Sequence, residues 1–175
     1  KSAKEKKEWD TNAITPGTDF MNDLEIFILK NIHRFSRKVI FSSANEPGEG
    51  EHKIFDYIRN NNIDSNVIYG LDADLIMLTL NHLYISKSMY LFRETPYFIK
   101  SIDNTLNPND NYLLNIPEFA KVLSCELNDN KPTNSNDYNR VFDYIFLCFF
   151  LGNDFLPHFP SLNIRTTGID RLQDV

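Results

Sequence analysis

Two short runs rich in β-branched and aromatic residues, KVIFSS at Lys38–Ser43 and NVIYGL at Asn66–Leu71, are each followed by two acids set two positions apart and then by an apolar pattern. The first pair is Glu49 and Glu51 of PGEGEHK, ahead of Ile54, Phe55 and Ile58; the second is Asp72 and Asp74 of LDADL, ahead of LIMLTL. Strands that alternate with single helices generally build a parallel sheet with right-handed crossovers, so the repeat predicts an α/β fold. In such sheets ligands sit outside the carboxyl ends of the strands, where both acid pairs are expected.

The remaining elements are read from the same patterns. Pro16-Gly17 makes a turn, Thr18 is a candidate N-cap, and Phe20, Leu24, Phe27, Ile28 and Phe35 predict a helix over 19–35. The helix after Glu51 is expected to end near Asn60–Asn62. Met89–Glu94 and Tyr97–Asp103 read as edge strands, joined as a hairpin across Thr95-Pro96. Residues 104–139 read as Asn-rich loops around one helix, Pro117–Leu127, with its proline in the first turn. Val141–Leu151 is apolar almost all round and predicts a buried helix stopped by Gly152, with Asn153 and Asp154 directly behind it.

At 175 residues and 42% hydrophobic content, one domain spanning 1–175 is expected. The 13% aromatic content excludes a disordered acidic tail. Two cysteines, Cys125 and Cys148, are too few for a disulfide framework and point to a reducing, intracellular compartment, cytoplasmic or nuclear. The longest apolar run, Tyr144–Leu151, is far shorter than the roughly 20 residues a membrane helix needs, so no membrane partner is expected. The opening KSAKEKKEWDTN, without an initiator methionine, reads as the end of a charged helix, and the chain is expected to be a fragment. A net charge of −6 speaks weakly against a nucleic-acid partner, since phosphate binding normally needs a basic face.

Gathering four or five carboxylates in a partly dry site costs several kcal/mol unless cations or protons neutralise them. Carboxylates without Cys or His among them suit a hard ion, Mg²⁺ or Mn²⁺. Two such ions about 3.5 to 4 Å apart form the clamp used in phosphodiester cleavage. Either acid pair alone is explained as readily by the helix macrodipole, which favours acids at helix N-termini. The two pairs after successive predicted strands, with Asp154 behind a helix, tip the reading toward metal. His52, Lys53 and Arg59 are expected on the wet face of their helix, with Lys53 a modest candidate for touching phosphate.

The segments DTNAITPGTDFM, PGEGEHKIFDYIR, YGLDADLIMLTL, LFRE and FLCFFLGNDFLPHFPSLNI, in that order, closely resemble the XRN family of 5′→3′ exoribonucleases over nearly the whole chain outside 104–139. The resemblance implies a PIN/flap-nuclease-like parallel sheet flanked by helices, incomplete at the N-terminus. It also implies removal of nucleotides from RNA bearing a 5′-monophosphate, dependent on Mg²⁺ or Mn²⁺. Glu49, Glu51, Asp72, Asp74 and Asp154 match the acids of the family's two-ion site without substitution. Further ligands and the basic phosphate pocket belong to the portion that precedes this chain in family members, which answers the charge objection and implies that the fragment alone cleaves little or nothing. Thr11 and Ala13, where the family usually has Ser and often Cys, are conservative departures. A flap-type DNA endonuclease and a catalytically inactive RNA-binding fragment are the alternatives. A haloacid-type phosphatase ranks last because it explains neither the Glu pair nor Asp154.

Overall fold

The structure, a computed structural model, describes residues 9–93, 100–101, 103–131, 138–153 and 156–162. The chain groups into two compact units, one up to Asp56 and one from Tyr57 onward, with the boundary inside a continuous helix.

In the first unit, α1 runs over Asp19–Asn31 and gives way to a 3-10 turn, Ile32–Arg34, four residues sooner than the apolar stripe suggested. Thr18 is its N-cap, with the side chain accepting the Met21 N–H. The stripe is only partly covered: Phe20, Leu24 and Ile28 are half-buried, α1 fully buries none of its residues, and Phe27 and Phe35 are each 64% exposed. The strand expected over Lys38–Ser43 does not form; these residues pair with no strand among the described residues, and Val39 and Ile40 are exposed. β propensity measures fit to a neighbouring pleated surface, and without a partner the run stays irregular. The first acid pair is therefore not at a strand end. α2, Gly50–Asn61, begins at that pair and ends where expected, with Asn62 in the left-handed region at φ 48°.

The second unit is built on a three-stranded mixed sheet in the order β1-β2-β3, with β1 at Ser65–Tyr69, β2 at Ser88–Phe92 and β3 at Leu113–Asn115. α3, Asp74–Asn81, connects the parallel pair β1 and β2, so this strand, acid pair, helix and strand form as predicted. The run ending at Glu94 was expected at an edge, yet β2 is central, because β3 pairs with it antiparallel through Leu91 and Leu114. The hairpin partner expected at Tyr97–Asp103 falls largely outside the described residues; within it Lys100 and Ser101 are helical. β3 lies in a stretch read as loop. Its Asn115 then caps α4, Ile116–Glu126, by accepting the Glu118 N–H, and Pro117 sits in the first turn as expected.

Side chains alternate across a strand, and the two faces of this sheet differ. Ile68, Met89 and Leu91 are buried on one face, where α3 and α4 pack on β2 and α5, Asn139–Phe149, packs on both helices. On the other face Val67 and Tyr69 are 56% and 58% exposed and Leu113 is also exposed, so β1 is covered on one face only. α5 departs from expectation. Val141, Ile145 and Cys148 are buried, whereas Phe146, Phe149 and Phe150 stay exposed and line an apolar groove of about 480 Å³ with Leu156 and Phe159. Among the described residues no helix is long and apolar enough to cross a membrane.

Candidate functional site

The first acidic turn is built around Ser43. Its carbonyl accepts the Glu46 N–H at 3.2 Å and Lys53 Nζ at 2.8 Å, and its hydroxyl accepts the Asn45 N–H. Asn45 Nδ2 reaches back to α1, donating to Glu25 at 2.6 Å and Asn22 at 3.2 Å. Pro47 and Gly48, at φ +98°, then bring the chain to Glu49, whose carbonyl accepts the Lys53 N–H to open α2. Glu51 falls in the first turn of that helix, where the macrodipole favours a carboxylate. Glu49 is exposed and Glu51 half-buried. His52 is exposed as expected, and its Nε2 lies 3.8 Å from Glu49, a contact that water screens heavily.

The second turn hangs from the carboxyl end of β1. The ladder with β2 extends one bond past Tyr69, from the Gly70 N–H to the Phe92 carbonyl at 3.2 Å. The next carbonyl, that of Leu71, accepts Arg93 Nη2. Asp72 Oδ1 accepts the Asp74 N–H at 3.3 Å and so orders the first turn of α3, of which Asp74 is the first residue. Both aspartates are exposed. Gly70 allows a close approach, since a Cβ there would lie 2.3 Å from Leu75 Cδ1, and Leu75 is buried.

The third candidate, Asp154, lies outside the described residues. On either side of it, the Asn153 N–H donates to the Leu156 carbonyl at 2.9 Å, and the Asn153 side-chain Oδ1 accepts the Leu156 N–H at 2.8 Å. Gly152, at φ +88°, makes this possible, because a Cβ there would lie 2.7 Å from the His158 backbone nitrogen.

The structure thus brings Glu49 and Glu51 together in one turn and Asp72 and Asp74 together in another. Among the described residues no three of His, Cys, Asp and Glu converge as a metal cage requires. The donor chemistry, carboxylates alone, fits a hard divalent ion. Of the two cations read as wet-face, Arg59 is exposed and Lys53 half-buried, and both hold contacts within the protein. Lys53 bonds the main chain beneath the first acid pair. Arg59 Nη1 donates to His82 Nε2, while His82 Nδ1 donates to the Leu78 carbonyl at 2.7 Å. A carbonyl only accepts and a guanidinium only donates, so both ring nitrogens of buried His82 are engaged. These partners lie 10 and 23 positions apart in sequence, beyond what local spacing reveals.

An α/β chain with carboxylate pairs at the starts of two helices can be placed by comparison with known proteins. The family described as XRN 5′-3′ exonuclease N-terminus matches residues 1–95, and that described as Xrn1 helical domain matches residues 135–175. The chain belongs to the XRN 5′→3′ exonuclease family. It is 37% identical to "5'-3' exoribonuclease 2" of Candida glabrata over 213 aligned residues, covering 99% of this chain and 20% of that protein. The namesake proteins of Schizosaccharomyces pombe and Saccharomyces cerevisiae are 36% and 34% identical, each over 99% of this chain and 21% of their own length. The chain spans about a fifth of the curated relatives it matches.

Proposed function

We propose that this chain is the acidic part of the catalytic region of a 5′→3′ exoribonuclease that degrades RNA carrying a 5′-monophosphate. One observation supports the reading above others: Glu49, Glu51, Asp72 and Asp74 lie inside the stretch matching the exonuclease N-terminus, and Asp154 lies inside the second matched stretch. The relatives are named for the reaction, 5′-3′ exoribonuclease, and both acid pairs sit in turns ordered by their own hydrogen bonds.

In this reading the five carboxylates hold two divalent ions, Mg²⁺ or Mn²⁺, which when bound supply Lewis-acid stabilisation of the charge that develops on the cleaved phosphodiester. The protein's own part is positioning. Glu51 is carried on the first turn of α2, and Asp72 is oriented by the N–H of Asp74. Concentrated like charge makes the site a poor host for RNA phosphates until cations enter.

The test uses full-length protein and 3′-labelled RNA with either a 5′-phosphate or a 5′-hydroxyl, in Mg²⁺ and then in EDTA, beside Asp74→Ala. Loss of the 5′-phosphorylated RNA alone, abolished by EDTA and by the substitution, is expected. Survival of both RNAs in Mg²⁺ overturns the reading, and preferential cutting of a flapped DNA competitor replaces it with a flap-type endonuclease.

A further inference from the structure

Each acidic turn is closed by one basic side chain from outside it, and in both cases the acceptor is a main-chain carbonyl. Lys53 Nζ reaches back ten positions to Ser43, which is buried and already holds Asn45 and Glu46. Its stem crosses Gly48, with Cγ and Cε each 3.9 Å from where a Cβ would stand. The same residue's N–H starts α2 by bonding Glu49, so Lys53 ties both ends of the segment that presents Glu49 and Glu51. Arg93 performs the equivalent task from the end of β2. The strand ladder closes at Gly70 and Phe92, and the guanidinium captures the next carbonyl, that of Leu71, at the point where the chain leaves the sheet for Asp72.

A charged donor bonded to a carbonyl is stronger than a neutral one, and that bond itself occupies no carboxylate oxygen. Like charges gathered in a turn push it open, and a cation anchored at the turn's base opposes this while leaving the acids available. We infer that Lys53 and Arg93 are positioning residues, each ordering the turn that presents one acid pair to a divalent ion. The inference rests on the proposed role of those acids.

The experiment compares wild-type full-length protein with Lys53→Met, Lys53→Arg, Arg93→Met and Arg93→Lys, by amide hydrogen exchange and by Mn²⁺ titration of RNA cleavage. Lys53→Met is expected to speed exchange across residues 44–50 about tenfold and leave 71–74 unchanged, with Arg93→Met giving the mirror image. Each should raise the Mn²⁺ concentration for half-maximal rate by about 10- to 100-fold, with most of the rate recovered at saturating Mn²⁺. Lys53→Arg should recover both readouts; Arg93→Lys should recover them in part. If Lys53→Met does not fold, Lys53→Gln takes its place. Unchanged exchange, or faster exchange with an unchanged Mn²⁺ requirement, overturns the inference alone. A wild type that neither cleaves RNA nor binds Mn²⁺ overturns the nuclease reading and this inference with it.

Discussion

The two acidic turns share a sequence signature and reach order by different means. Asp72 and Asp74 follow a strand whose partner, β2, is central and buries Met89 and Leu91, so the sheet delivers them and Arg93 fixes the last carbonyl. Glu49 and Glu51 have no strand ahead of them among the described residues; side chains do the work, with Ser43, Asn45 and Lys53 replacing a ladder by polar bonds. A turn hung from a sheet borrows the stability of the core, whereas one closed by polar side chains opens at a lower free energy. The same chemistry can thus be presented by one rigid and one adjustable support.

The largest expected effect tests whether the two turns are equals. Glu51→Gln and Asp74→Asn, made in full-length protein, should each lower the single-turnover rate on 5′-phosphorylated RNA by about 10³-fold, measured at saturating metal with RNA binding retained. A loss in only one would break the equivalence. Next comes stability. Leu91→Ala, beneath the second turn, should cost about 2 to 5 kcal/mol by denaturant unfolding, whereas Val39→Ala, at 42% exposure on the approach to the first, should stay within about 0.5 kcal/mol.

The glycines beside the two turns offer a smaller and more local contrast. Gly70→Ala must displace buried Leu75 and should cost about 1 to 3 kcal/mol. At Gly50, the first residue of α2, a Cβ meets nothing within 4 Å, so Gly50→Ala should be neutral or stabilise by up to about 1 kcal/mol. The smallest effect concerns the layer beneath the sheet. Burial pushes the Cys148 thiol up from its ordinary value, against a lesser opposing hydrogen bond from Tyr144, so alkylation of Cys148 should lag well behind that of half-exposed Cys125. Because the folded thiol keeps its proton longer than the unfolded one, its contribution to stability is full below pH 9.0 and is lost as pH rises through the raised value. Cys148→Ala should make that decline shallower in an unfolding series.

How much of this was legible in the sequence varies with the kind of information. The α/β class, Thr18 as a cap, the end of α2 and the placement of Asp72 and Asp74 where the chain passes from β1 into α3 follow from local spacing. Lys38–Ser43 and β3 show the limit. The first has the composition of a strand and no partner; the second has three residues and becomes a strand only because Leu91 and Phe92 lie opposite. Exposure of one face of α5 was hidden too, since apolarity says which residues favour burial and leaves open which faces find cover. The contacts of Lys53, read as a modest candidate for touching phosphate, and of Arg93 were hidden because their acceptors are carbonyls 10 and 22 positions away, which every residue type possesses.

Gly152 carries a consequence for inheritance. Its backbone lies where L side chains are strained, and the His158 main chain fills the space a methyl group would need. Any single-base change in the first two letters of a glycine codon brings in a larger side chain or a stop. Codon 152 therefore tolerates drift only in its silent third letter, and variants there should be scarce in natural populations beside those at codon 50, where the space is open.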